Sequence, residues 1–267
     1  MRVIVVRLRP RSVLYKLILP SLLVAGILLV FLLRHPGVPA TSSDAYRYDR
    51  WLAPDGIVLH TLQTTPDRIR LKPVDMNVTK APYTGINGGF FWEGSLLSIA
   101  VENDRPLKGS SGDYGSGWYN TGVNGHLKRG TLVWDEAAGQ FSVQVALEAD
   151  ELAVTDRNRY WAQGGVSMNL LRDGISFAGM IAEEMPAYDE PRMRSGLVYD
   201  RDNKLYLIVT PTPCTAEQFR AAIVGKLGAD RVVDGIYLDG DGSSQLQSKQ
   251  IKLPGDRRQV YQMITIS

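Results

Sequence analysis

A single cysteine, Cys214, stands among 267 residues, so no intrachain disulfide forms. It lies in Pro211-Thr212-Pro213-Cys214-Thr215, just ahead of a helix start, and three histidines (His35, His60, His126) are the whole supply of partners for a Cys/His dyad. No Cys or His pair has the spacing of a structural zinc site. The chain also lacks a basic stripe interleaved with aromatics, which argues against nucleic acid as a partner. Its formal net charge is only +2, and much of the positive charge lies at the N-terminus. No internal repeat is visible. Strand and helix patterns do not alternate regularly, which argues against a doubly wound parallel sheet.

What is present fits one globular domain with an appendage: 44% hydrophobic and 22% charged residues are ordinary for a folded chain. Met1 to Lys16 carries Arg2, Arg7, Arg9, Arg11 and Lys16 without an acid, and Leu17 to Leu33 carries no charge at all. Together with Val13–Tyr15 this approaches the roughly 20 residues that cross a bilayer. A basic flank of this kind stays cytoplasmic. The expectation is a single-pass signal anchor over residues 1–34, a Pro/Ser/Thr-rich linker over 35–49, and a domain over 50–267 that is periplasmic or extracellular. A cleavable signal is the rival reading, with small residues in Val38-Pro39-Ala40.

Within the domain, alternating or apolar runs predict strands at 56–62, 69–74, 96–101, 131–134, 141–146, 194–199, 205–210, up to Leu238, and 260–266. Asn169 to Phe177 reads as a hairpin turning at Arg172-Asp173-Gly174, and 181–191 as a loop. The residues between Gly109 and Gly125 form a long Gly/Ser/Asn-rich loop. One soluble helix is predicted over 215–227: Thr215 caps it, Gln218 completes the cap, Gly228 ends it, and Phe219, Ala222, Ile223 and Leu227 give it an apolar face. The fold class is therefore α+β: a large mixed β-sheet domain with few helices, preceded by one N-terminal transmembrane helix.

The segment Asp234 to Gln245 is the most unusual. A short apolar strand ends abruptly in Asp239-Gly240-Asp241-Gly242-Ser243-Ser244. That places a carboxylate at a strand mouth beside two hydroxyls and glycines whose amides face an anion easily. Three further segments match it in character: Asn87-Gly88-Gly89-Phe90-Phe91, Gly164-Gly165 and Arg194-Ser195-Gly196. In this order and spacing, from about Thr84 to Ser267, the four resemble the phosphodiester glycosidase family, whose bacterial members are linked to exopolysaccharide. Two positions depart from the family pattern. Asp241 replaces the middle glycine of the last motif, and Val166 follows the Gly-Gly where proline is common.

The resemblance implies a membrane-held hydrolase acting on a glycosyl phosphodiester or a related glycosidic bond in a cell-surface or exported polysaccharide. It implies Asp239, Asn87 and Arg194 as catalytic residues. Gly88, Gly89, Phe90, Gly164, Gly165, Gly240, Gly242, Ser243 and Ser244 would bind the carbohydrate or glycosyl-phosphate substrate. The residues themselves support this chemistry. Arg194 offers a planar fork of donors for phosphate oxygens, Asn87 an amide that donates and accepts, and Asp239 a base or nucleophile. Glycoside hydrolysis ordinarily needs two carboxyl groups, and Glu93 and Asp241 are the secondary candidates. A phosphate leaving group, however, is a weak base and departs with little protonation.

Blander readings compete. Asn87-Gly88 also fits a hairpin turn, Arg194 a surface ion pair, and Phe90 a core wall. Asp239-x-Asp241-x-Ser243 opens like a calcium loop, but an EF-hand requires glycine and glutamate where this chain has Ser244 and Gln250. A looser divalent-cation site through Asp239 and Asp241 stays open, and no other cofactor is implied. The rival functions are a non-catalytic glycan-binding or polysaccharide-assembly module on the same fold, and a metal-dependent phosphodiesterase.

Overall fold

The computed structural model describes residues 41–42 and 45–267. The run Leu17–Leu33 and its expected membrane crossing lie outside them. Among the described residues, no helix is long and apolar enough to cross a membrane.

In chain order the main strands are β1 (Arg47–Leu52), β2 (Val58–Thr64), β3 (Ile69–Met76), β4 (Thr84–Asn87), β5 (Ala100–Glu102), β6 (Arg129–Asp135), β7 (Gln140–Ala146), β8 (Tyr160–Gly164), β9 (Val166–Ser167), β10 (Arg192–Asp200), β11 (Leu205–Cys214), β12 (Val232–Tyr237), β13 (Leu246–Gln247) and β14 (Val260–Ile266). Two α-helices accompany them, α1 (Asp173–Ala182) and α2 (Ala216–Leu227). The domain is mostly β with two helices, an α+β architecture. Among the described residues the expected large mixed sheet is instead three larger antiparallel sheets and two two-stranded ribbons. A seven-stranded sheet runs Thr41–Ser42, β1, β2, β11, β10, β12, β9. One five-stranded sheet runs β7, β6, β8, β5, Arg105–Pro106, and the other Lys252–Leu253, β13, β4, β14, β3. Adjacent parallel strands need a crossover of a dozen or more residues. Two helical connections, β9–α1–β10 and β11–α2–β12, each step over one strand, β12 and β10 respectively, so the strands they join are not neighbours and every adjacent pair in this sheet is antiparallel.

The seven-stranded sheet is the middle layer, so its central strands are apolar on both faces. Leu197, Tyr199, Leu205, Leu207 and Val209 point to a core shared with Ile86, Leu132 and Ile264 of the other sheets. The alternate residues Val198, Tyr206 and Ile208 point to a second core closed by Phe219, Ala222 and Ile223 of α2. Each such side chain, fully buried, contributes about 1.5–3 kcal/mol. Helix α2 starts as its sequence predicts: Thr215 Oγ accepts from Gln218 N while Gln218 Oε1 accepts from Thr215 N. The core begins before residue 50, within the stretch expected as linker, because Tyr46 and Tyr48 are both buried in it.

One local expectation is corrected. The segment read as a hairpin around Arg172-Asp173-Gly174 is helix α1, which also takes the start of the expected 181–191 loop. Its pattern misled because the buried positions are Ser176 and Met180, one turn apart, while Ile175, Phe177 and Ile181 are half-exposed. Residues 160–167 form two strands. β8 lies in the β6 sheet and β9 in the β12 sheet, so Gly164-Gly165 is the point where the chain changes layer. A Cβ on Gly165 would stand 2.1 Å from Tyr237 O, and one on Gly164 would stand 2.3 Å from Asn120 Oδ1.

Candidate functional site

β4 and β12 end side by side, and their last residues meet. Asp239 N donates to Gly88 O (3.3 Å), and Leu238 N to Ser195 O (2.9 Å) of β10. Asn87 sits fully buried at this junction. Its Nδ2 donates to Asp239 O (2.8 Å) and Gly88 O (3.1 Å), and its Oδ1 accepts from Ser195 Oγ (2.8 Å) and Gln245 N (3.1 Å). A side-chain amide has two donor hydrogens and two acceptor lone pairs, so Asn87 is saturated. It fixes the ends of three strands and leaves no hydrogen-bonding capacity for a ligand.

Asp239 is half-buried at the mouth of β12. Burial of the carboxyl raises its pKa to about 6, against smaller lowering effects from the Ser243 hydroxyl, the Arg258 charge and the Gly240 amide; the Asp241 charge adds to the rise. The Ser243 hydroxyl stands near enough to act on that carboxyl without reaching hydrogen-bond geometry. Ser243 Oγ and Ser244 Oγ are both buried and have no protein partner, and buried hydroxyls are normally bonded. Ser243 ends the short 3₁₀ turn Asp241–Ser243 and Ser244 is its C-cap. Its first residue, Asp241, has φ +51°, a left-handed conformation easiest for glycine and tolerated by aspartate. That geometry gives the physical reason for glycine at this position of the motif.

Glycine elsewhere in the site serves close approach. A Cβ on Gly242 would fall 2.1 Å from the Asp256 carboxyl, one on Gly88 2.4 Å from Gln262 Oε1, and one on Gly89 2.6 Å from Ser98 Cβ. The amides of Gly88 and Gly89 are not open to a ligand, since they donate to Gln262 O (3.0 Å) and Gln262 Oε1 (3.3 Å). Gln262 in turn is bonded to Gln163 through its side-chain amide. Phe90 is partly buried, with the Arg129 guanidinium 5.0 Å from its ring centre, which is a wall position rather than an exposed platform.

Arg194 lies in the same strand as Ser195 but its side chain faces the other way, as alternation along a strand requires. Its guanidinium is buried and bonded to Cys214 O (3.1 Å), Ala187 O (2.5 Å) and Glu190 O (2.8 Å). These bonds tie the 187–190 segment to the sheet. Only its stem borders the site, with Cδ 3.9 Å from where a Gly240 Cβ would lie. Glu93 stands exposed at φ +44° in the turn of the Phe91–Trp92/Ser95–Leu96 ribbon. Cys214 is buried and its thiol is pushed up to about 11 by burial, the opposite of an activated nucleophile.

Sequence reasoning passed over four residues. Ser195 and Gln245 lie inside the quoted motifs and bind Asn87. Arg192 pairs with Glu190 (2.6 Å) and Asp241 (3.5 Å), and Arg258 with Asp256 (2.5 Å). Arg258 sits outside every motif, so only the fold brings it in. Among the described residues, no group of three or more His, Cys, Asp or Glu side chains is arranged to hold a metal ion. A groove of about 680 Å³ between Pro73, Met76, Tyr83, Lys108 and Tyr261 lies elsewhere, and Asn87, Asp239 and Arg194 do not line it.

The fold is similar to the zebrafish N-acetylglucosamine-1-phosphodiester α-N-acetylglucosaminidase catalytic domain, solved as a form auto-inhibited by its pro-peptide. The TM-score is 0.55 at 16% identity, over 87% of this chain and 85% of that one. A hypothetical protein from Synechocystis aligns at a TM-score of 0.49 and 14% identity, over 84% of this chain and 62% of that one. No family model and no curated protein matches the sequence. The first similarity is one of fold.

Proposed function

We propose that the domain is a hydrolase that cleaves a glycosyl phosphodiester, or a related glycosidic bond, in a cell-surface or exported polysaccharide, with the N-terminal apolar segment holding it outside the cytoplasm. The observation that carries this reading is the Asp239 carboxyl at the mouth of β12 beside two buried hydroxyls, Ser243 and Ser244, that lack a protein partner. The fold shared with a phosphodiester glycosidase domain supports it.

In this mechanism Asp239 reacts in its ionised form. It takes the proton of a water that attacks the anomeric carbon, or attacks that carbon itself and is released by water in a second step. The bond from the anomeric carbon to the phosphate oxygen breaks, and its electron pair leaves with the phosphate. Water supplies the new oxygen on carbon, and its proton passes to solvent through Asp239. The leaving phosphate is a weak base, so one carboxyl suffices. Ser243 and Ser244 donate to the substrate or orient the carboxyl. Asn87 and Arg194 are positioning residues: the first fixes Asp239 and Ser195, the second fixes the 187–190 segment, whose Glu190 pairs with Arg192.

Release of free sugar from a synthetic glycosyl-1-phosphodiester tests the proposal. Cleavage by the wild type and its loss in Asp239→Asn are expected. Full activity in Asp239→Asn removes the assignment of Asp239. Loss of activity on chelation, with cleavage on the phosphorus side of the bridge, replaces the glycosidase with a metal-dependent phosphodiesterase. Tight substrate binding without turnover replaces it with a glycan-binding module.

A further inference from the structure

We infer that Arg192 and Arg258 are the anion-reading arms of this site, a two-armed subsite for the phosphate group of the substrate. The inference rests on the glycosyl-phosphodiester reading for its ligand, and on separate geometry for its residues.

The two side chains bracket one short turn. Arg192, the first residue of β10, reaches Asp241 at the head of the Asp241–Ser243 turn (3.5 Å). Arg258 reaches its other flank through Asp256, whose backbone N donates to Gly242 O (3.3 Å) and whose carboxyl occupies the space a Gly242 side chain would need. Gln245 Nε2, from the same loop as Asp239, donates to Arg258 O (2.9 Å) and so pins the main chain on which Arg258 stands. The charge of Arg258 acts on both Asp239 and Asp241. The turn that both arms reach ends in Ser243 and Ser244, whose buried hydroxyls have no hydrogen-bond partner. Two guanidinium groups around paired hydroxyl donors form the donor set that phosphate oxygens require.

Availability separates these arginines from Arg194. The Arg192 and Arg258 side chains are 41% and 45% exposed, whereas the Arg194 guanidinium is enclosed and bonded to carbonyl oxygens. Arg192 and Arg258 are held at rest by acids that are themselves exposed, Glu190, Asp241 and Asp256. Exposed ion pairs of this kind contribute only about 0–1 kcal/mol, so exchanging a surface carboxylate for a phosphate costs little. The acids keep the arms splayed beside the turn and give way to a doubly bonded phosphate oxygen pair.

Two measurements on the full chain decide the matter. Calorimetric titration with inorganic phosphate should give binding that weakens with salt, and the Arg192→Gln/Arg258→Gln variant should weaken it about tenfold or more. In turnover of a glycosyl-1-phosphodiester, the same variant should raise KM about tenfold or more with a smaller change in kcat, and Lys at both positions should recover part of the loss. A wild type that does not bind phosphate, or a double Gln variant that binds it equally well, overturns the subsite. If the wild type turns over no phosphodiester, the proposed activity fails, while phosphate titration still decides the subsite by itself. Both side chains are exposed, so the variants should keep the wild-type melting temperature, which is checked on the same samples.

Discussion

The side-chain amide of Asn87 is bonded to the main-chain carbonyl of Asp239 (2.8 Å) across 152 positions of sequence. Through this bond the end of β4 fixes where the end of β12 presents its carboxyl. The same amide oxygen collects Ser195 and Gln245, so four groups lose a partner together if it is removed.

Asn87→Ala should therefore cost about 2–4 kcal/mol of folding stability, since several buried groups are left unsatisfied at once. Asn87→Asp should cost a similar amount despite its matching shape, because it replaces two donors with an acceptor facing the carbonyls of Gly88 and Asp239. Urea denaturation of both variants checks this. A loss under about 1 kcal/mol in either would show that Asn87 does not hold the junction.

Asp239 makes stability and activity run in opposite directions with pH. Its folded pKa, about 6, lies above its ordinary value of 3.8. Below pH 3.8 the carboxyl is protonated whether the chain is folded or not, and its burial carries no ionic penalty. Between 3.8 and 6 the unfolded chain releases the proton that the folded chain keeps, and stability falls. Above 6 the full penalty, about 1–3 kcal/mol, is in place. Asp239→Asn should thus be more stable than wild type at pH 7.5 and equal to it at pH 3.5, read as the difference in melting temperature. Wild-type kcat/KM should rise with pH through about 6 as the reactive carboxylate forms.

Much of this arrangement was legible in the sequence. β14 and the capped helix α2 stand where their patterns put them, because Thr215, Gln218 and Gly228 are local signals and period-two burial is a property of one strand. Asn87 and Asp239 meet because each ends a strand of its sheet. Arg194 shows the limit: its residue type suits phosphate, but side-chain direction depends on strand register, and the register turns Ser195 toward Asn87 and Arg194 toward Cys214. Helix α1 escapes the pattern because Ile175, Phe177 and Ile181 face outward and only Met180 among its large apolar residues is buried. Arg258 enters the site only because the loop before β14 folds onto Gly242, a contact with no trace in local pattern.

The layer-changing glycines give a stability test with a built-in control. Gly165→Ala forces a methyl to within 2.1 Å of Tyr237 O, a backbone atom that moves only with β12. It should destabilise by about 3 kcal/mol or more, and disturb Asp239 two residues further on. Gly174→Ala, in α1 with nothing within 4 Å of the new methyl, should stabilise by about 0.5–1 kcal/mol through helix propensity and a less flexible unfolded chain. Equal effects at the two positions, by chemical denaturation, would refute the close approach at Gly165.

The Asp241 charge contributes to the acid limb of the activity profile, which burial of Asp239 mainly sets. Its negative charge is one of the influences that raise the Asp239 pKa, and it stands at φ +51°, where Asn and Gly are also at ease. Asp241→Asn keeps the turn and removes the charge. Without that charge the ionised form of Asp239 is less disfavoured, so its pKa must fall. The pH at which kcat/KM reaches half its plateau should move downward by a few tenths of a unit or more, with the plateau height changed less than about threefold. Asp241→Gly should move it the same way, and the added freedom of glycine in the unfolded chain should offset the relief of the left-handed conformation to within about 1 kcal/mol. A limb that moves upward in both variants would mean that the group titrating in the profile is not Asp239.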